Sequence, residues 1–220
     1  MIGEESRRKY INEGEFPGRH SIRIKGYNYS QSGGYFVTIV TLWRECLFGK
    51  IADGEMRLND LGRIVEECWH DIPKHFPDTE IDAFVVMPNH VHGIVMIHET
   101  MRTCANASAR RGTIYRAPTP TIEQFGKPTG NSLPTIVRTF KAAVTRRAGR
   151  ELTCRAGIQP ASAVSGSWEP DNSANIWQRN YYEHVIRDQH DYERIADYIA
   201  SNSVNWADDE ENPNRLQSLP

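Results

Sequence analysis

Thr79-Glu80-Ile81-Asp82-Ala83-Phe84-Val85-Val86-Met87-Pro88-Asn89-His90-Val91-His92-Gly93-Ile94-Val95-Met96-Ile97-His98 reads as two strands joined by a two-residue turn. Proline presets the first turn position and asparagine tolerates the second, so 79–87 and 90–98 are expected to pair as an antiparallel hairpin. The run 94–97 is continuously apolar, which points to a strand covered on both faces. Upstream, Tyr35-Phe36-Val37-Thr38-Ile39-Val40-Thr41 is β-branched and aromatic, follows Gly33-Gly34, and reads as a central strand. A short ribbon is expected to pair 46–51 with 55–58 and to turn at Asp53-Gly54. Between ribbon and hairpin, Leu61, Ile64, Val65, Cys68, Trp69 and Ile72 recur at helical spacing behind a cap at Asn59 or Asp60.

Downstream of the hairpin the pattern lapses. Residues 99–131 contain no Leu or Val but three Gly and three Pro, as expected of an insertion. Helical periodicity returns over 132–150, where Ile136, Val137, Phe140, Ala143 and Val144 share a face. Segment 151–175 is again loop-like, 176–186 reads as a strand, and 188–201 as a final helix with Tyr192, Ile195 and Ile199 turned inward. The order β, α, β, β, α, β, α fits an α+β sandwich of ferredoxin-like (RRM-like) type, with helices on one face of a largely antiparallel sheet. One domain over 1–206 is expected, with 99–131 and 151–175 as variable loops. Residues 1–18 read as a frayed lead-in, and 207–220, which carries Asp208-Asp209-Glu210-Glu211, as a solvated, flexible acidic tail.

Composition narrows the classes of function. The 220 residues are 39% hydrophobic and 25% charged, which suits a packed core rather than wholesale disorder. With 26 basic against 28 acidic side chains the net charge is −2, so any nucleic-acid surface has to be a local patch. No apolar run approaches the ~20 residues that a membrane helix needs, and the N-terminus carries no secretory pattern. Cys46, Cys68, Cys104 and Cys154 form no CxxC pair, so neither a zinc ribbon nor a disulfide framework is suggested and a cytoplasmic location is expected.

His90 and His92 alternate with Val91 on a strand and therefore project from one face. Two imidazoles so placed can converge on one ion if a third ligand arrives from elsewhere, and the same spacing also fits two polar residues on a half-exposed strand. Near the C-terminus, the 100° helical step puts Tyr192 with Ile195 and Ile199 on the inward stripe. It leaves Tyr198 off that stripe, one turn from Asn202.

Val86-Met87-Pro88-Asn89-His90-Val91-His92-Gly93-Ile94 resembles the histidine–hydrophobe–histidine motif of the Y1 HUH transposases of the IS200/IS605 type, most closely the REP-associated tyrosine transposases. Trp177-Gln178-Arg179-Asn180-Tyr181-Tyr182-Glu183-His184-Val185-Ile186-Arg187, then Asp191-Tyr192, Asp197-Tyr198-Ile199 and Asn202, follow the same family's order and spacing. The strand 35–41 and the helix 132–150 also resemble theirs, so the likeness spans about 19–99 and 132–206. Many relatives place proline directly after the asparagine, where this chain has Ser203.

The resemblance implies metal-dependent cleavage and rejoining of single-stranded DNA at hairpin elements. Tyr198 would be the nucleophile, forming a 5′-phosphotyrosine, and His90, His92 and Asn202 would hold Mg²⁺ or Mn²⁺. Tyr181 and Tyr182, expected to alternate across a strand, need no catalytic role. Arg138, Lys141, Arg146, Arg147 and Arg150 lie in a helix with no acidic residue and are expected to contact DNA phosphates. Arg102, Arg110, Arg111, Arg116 and Lys127 make the insertion basic as well. Family members act as monomers or as dimers that share active sites, so both states stay open here. Two other readings remain at this point: a DNA-hairpin-binding protein whose cutting has lapsed, and a metal-dependent phosphodiester hydrolase that uses water.

Overall fold

A computed structural model describes residues 27–99, 130–155 and 176–215. The basic residues of the insertion lie outside these, as do 1–18. A four-stranded sheet organises the rest, built from β1 (Gly33–Val40), β4 (Thr79–Val86), β5 (His90–Ile97) and β6 (Tyr182–Ile186). Its spatial order is β4-β5-β1-β6 and every neighbouring pair is antiparallel. That order is the ferredoxin-like one for a βαββαβ chain, as the sequence of elements suggested. The ribbon β2 (Gly49–Ala52) and β3 (Glu55–Leu58) stands apart, turning at Asp53 and Gly54 with φ 57° and 76°. Two successive left-handed residues are what a tight hairpin of this kind demands, and Asp-Gly supplies them at low cost.

Helix α1 (Asp60–His70) starts where the Asn59 side chain accepts the Gly62 N–H at 2.9 Å, and it is followed by the single turn α2 (Ile72–His75). α1 buries Ile64, Val65, Cys68 and Trp69. Those side chains join Ile136, Val137, Phe140 and Val144 of α3 (Leu133–Arg155) and Tyr35, Val37, Ile39, Val91 and Val95 of the sheet in one core. At roughly 1.5–3 kcal/mol for each fully buried large side chain, this cluster is the main stabilising mass.

The alternate residues of the same strands, Phe36 and Ile94, meet Ile195 and Ile199 of α4 (Gln189–Ser201) in a smaller second core. Helices on one face therefore describe α1 and α3 but not α4, which takes the opposite face and leans on β4 and β5. A strand apolar on both sides, as at 94–97, requires such double cover. The expected strand over 176–186 is ordered as a ladder only at Tyr182–Ile186. Its lead-in is held instead by a lone bridge from Trp177 to Thr41 and by Lys141. No helix among the described residues is long and apolar enough to cross a membrane.

Candidate metal and nucleophile site

His90 and His92 open β5 and project onto the α4 face, while Val91 enters the larger core. Both are buried, at 0% and 3% exposure, and their ring centroids are 4.3 Å apart. Each ring is set from behind. Thr38, the cross-strand partner of His92 in the β1–β5 register, shares a hydrogen bond between Oγ1 and His92 Nδ1 at 2.9 Å. Asn89 Oδ1 lies 2.9 Å from His90 Nδ1.

The Asn89 amide cannot be turned round, because its Nδ2 donates to the carbonyls of Arg44 at 3.0 Å and Glu211 at 2.7 Å. An acceptor therefore faces His90 Nδ1, which carries the proton, and Nε2 is left with a bare lone pair. That Nε2 is buried without a hydrogen-bond partner. An orphaned imidazole nitrogen fixed by a hydrogen bond on its far side is how metal-binding histidines are usually oriented.

α4 brings the remaining groups. Tyr198 Oη shares a 3.2 Å hydrogen bond with His92 Nε2, and Phe36 packs against both rings, stacked 5.4 Å from His92 and edge-on to Tyr198 at 6.2 Å. Asn202, one turn on, caps the helix, is buried, and leaves Oδ1 without a partner. The four residues Tyr198, Asn202, His90 and His92, read from the sequence as one site, thus lie together within one chain. Tyr192 stays on the inward side of α4, packed against the second core with its hydroxyl donating to Asp82 at 2.8 Å.

Asp209 was missed. In a run of four acids it read as solvated, yet its side chain is 3% exposed, and Oδ2 lies 3.9 Å from His90 Nε2 while accepting Asn202 Nδ2 at 3.1 Å. His90, His92 and Asp209 form a group that could hold a metal ion, with ligand atoms all within 4.8 Å of one another. The donors fit a divalent cation: two neutral imidazoles, an unused amide oxygen and one carboxylate. No signal in the sequence separates Asp209 from its three acidic neighbours.

Electrostatics follow burial. Desolvation pushes the His90 pKa down to about 3, with the Asn202 side chain opposing the shift, and it drives His92 well below its ordinary value as well. The Tyr198 phenol is raised by burial first and then by the Asp209 charge. As it stands, the pocket keeps both imidazoles neutral and the phenol protonated at pH 7.

The basic residues of α3 sit on the other layer. Arg138, Arg146 and Arg150 are exposed, and Arg146 and Arg150 line a cleft against α2. Lys141 is tied inward, donating to the Gln178 and Asn180 carbonyls at 2.8 Å each, and burial lowers its pKa to about 8. The helix runs on to Arg155 rather than giving way to a loop at 151, so it is not free of acidic residues: Arg147 pairs with Glu67 and, at 2.6 Å and one turn on, with Glu151. One exposed aromatic on the histidine face also escaped sequence reading: Tyr182 is 54% exposed, with its ring edge-on to Phe36 at 6.3 Å.

No protein-family model matches the chain. It aligns with the structure of a REP-associated tyrosine transposase bound to a REP hairpin at 19% identity and TM-score 0.46, over 85% of this chain and 74% of that one. A Haemophilus influenzae protein described as uncharacterized is 41% identical over 194 residues, which is 87% of this chain and 92% of the relative. Identity of that extent over nearly the full length of both makes them homologues, and the chain belongs to one family with this Haemophilus influenzae protein.

Proposed function

We propose that this protein is a metal-dependent single-tyrosine HUH transposase that cleaves and rejoins single-stranded DNA, at hairpin elements, through a covalent 5′-phosphotyrosine. The observation that carries the reading is the meeting of Tyr198 Oη with His92 Nε2 at 3.2 Å, beside a buried His90 Nε2 that has no partner. His92 and Tyr198 are 106 residues apart in the chain, so only the fold brings these groups together.

Mg²⁺ or Mn²⁺, held by His90 Nε2, the Asn202 amide oxygen and His92 Nε2 once the Tyr198 hydroxyl gives up its hydrogen bond there, would polarise the scissile phosphate as a Lewis acid and favour ionisation of the nearby phenol. The protein's own part is positioning. Asn89 and Thr38 fix the imidazoles from behind, and Phe36 supports His92 and Tyr198. Tyr198 oxygen attacks phosphorus, its proton passing to solvent, to which the side chain is 46% open. The bond to the 3′ oxygen breaks, and that oxygen leaves as a hydroxyl after taking up a proton. One phosphodiester replaces another, so the bond energy is kept for rejoining and no nucleotide is consumed.

The Tyr182 ring beside Phe36 offers a stacking surface for a base next to the cut. Arg138, Arg146 and Arg150 are assigned to phosphates of the hairpin stem, while the hydrogen bonds of Lys141 and the ion pairs of Arg147 favour structural roles for those two. Assembly of the site within one chain supports action in cis by a monomer, and a dimer would not be needed to complete it.

The test is a hairpin oligonucleotide library incubated with Mn²⁺ and resolved on denaturing gels. A protein–DNA adduct is expected, with loss of at least about a thousandfold in Tyr198→Phe. An adduct surviving in Tyr198→Phe, or cleavage that leaves a free 5′-phosphate and no adduct, would overturn the assignment. The second outcome would make the protein a water-using hydrolase. Salt-dependent hairpin binding indifferent to metal, with no cleavage, would make it a binding protein only.

A further inference from the structure

The tail that carries Asp209 folds back over the histidines. Trp206 lies with its ring 6.0 Å from that of His90, and the Asp209 carboxylate is held at both oxygens, by Asn202 Nδ2 at 3.1 Å and by the Glu211 N–H at 2.6 Å. Asn89, the residue that orients His90, also donates to the Glu211 carbonyl. Arg44 completes the clasp, with Nε 3.0 Å from Glu211 Oε2 and a donated bond to the Glu210 carbonyl at 3.2 Å. The result is a buried pocket in which His90 Nε2 stands 3.9 Å from Asp209 Oδ2, and Asn202, which donates to that carboxylate, keeps an unused Oδ1. His90 Nε2 and Asn202 Oδ1 are both buried without a donor.

Hard divalent cations favour carboxylate oxygen, and two imidazoles with an amide leave a +2 charge uncompensated in a buried pocket. We infer that Asp209 is the anionic ligand of this cation site, and that docking of the 206–212 tail and binding of the cation are thermodynamically linked. The inference rests on the reading of the histidine pocket as a metal site. Linkage is reciprocal: whatever factor the docked tail adds to cation affinity, the cation adds to tail docking. The C-terminal tail is then a metal-dependent wall of the site rather than a solvated end.

Arg44 makes the inference decidable by sign. Its guanidinium stands in the clasp itself, with Nε 3.0 Å from Oε2 of Glu211, the residue whose backbone N–H holds Asp209. By Coulomb repulsion alone, removing a nearby positive charge should tighten cation binding. Through the tail, removing the Arg44 clasp should weaken it.

Mn²⁺ is titrated calorimetrically, and by the loss of its free-ion paramagnetic signal, into the DNA-free, metal-stripped full chain. Wild type is expected to bind one ion and His90→Ala none. Asp209→Asn, which keeps the side-chain shape, is expected to bind at least about tenfold more weakly, and Arg44→Met about threefold more weakly. Asp208→Asn, which removes the same charge from the neighbouring exposed position, is expected to stay within about twofold of wild type. The inference is overturned if Asp209→Asn binds like wild type, if Arg44→Met binds more tightly, or if Asp208→Asn loses as much as Asp209→Asn. Those results, with His90→Ala still abolishing binding, would leave the histidine metal site standing. Absence of Mn²⁺ binding by wild type would remove the metal reading itself.

Discussion

Asn89 does more for the site than its place in a turn suggests. Its Nδ2 is committed to two carbonyls, so its Oδ1 must face His90, and this fixes which nitrogen of that ring is free. The histidine pair was legible because alternation on a strand is a two-residue rule. The partners that orient the pair were not. Thr38 is 54 residues from His92 in the chain, and only strand register sets it opposite. The same burial makes the site a pH liability. The folded His90 has a pKa of about 3 against 6.5 for an ordinary imidazole, so below about pH 6.5 the unfolded chain binds a proton that the folded chain refuses. Stability present above that pH is lost as pH falls, by about 1.4 kcal/mol per pH unit for each histidine kept neutral. Urea unfolding of the metal-free protein between about pH 6 and 4.5 should show this slope, and it should shallow in His90→Gln. A flat profile across that window would mean that the pocket admits a proton or water.

Single elements were read well where period alone decides them, as in α1, the β4–β5 hairpin and the α3 face. Reading was poorer where a partner decides, as in the lead-in to β6 or the choice of sheet face by α4. Periodicity reports that a side of an element is apolar, but not what will cover it. Gly93 shows the limit most sharply. From sequence it is a glycine in a strand, a weak position by propensity. In the fold it lies between His92 and Ile94 directly beneath the Trp69 indole, where an added Cβ would stand 2.3 Å from Cζ2. The indole is fully buried between Phe84 and Phe140 and has little room to retreat. Gly93→Ala should therefore cost about 3 kcal/mol, an overpacking penalty at the upper end of the usual range. Trp69→Leu should recover part of that loss in the double variant, as residues in direct contact do. Equal losses with and without the indole, measured by urea denaturation, would place the strain elsewhere.

At the scale of the molecule, a near-neutral chain divides its work between the two faces of one sheet. The histidines, Tyr198 and Asp209 occupy one face, and the exposed arginines of α3 lie on the layer behind the other. Net charge said only that a basic surface had to be local, and helical periodicity then named five cations without showing that Lys141 and Arg147 are occupied. On the proposed function, a hairpin cut at Tyr198 and held by Arg138, Arg146 and Arg150 would have to pass an edge of the sheet, with its single strand at the site and its stem against α3. Removing three phosphate contacts should lower the salt slope of binding by about 2 for single-strand-like contacts, or somewhat more for a duplex stem. The triple variant Arg138→Ala, Arg146→Ala and Arg150→Ala should thus bind a cleavable hairpin on the order of tenfold more weakly at physiological salt. Its adduct yield at saturating DNA should match wild type, because none of the three side chains touches the reacting groups. If the slope and affinity are unchanged, the stem does not reach α3, and the DNA track lies wholly on the Tyr182 face. If the yield at saturation falls as well, α3 and the site communicate through the sheet, and the separation of binding from chemistry drawn from the two faces does not hold.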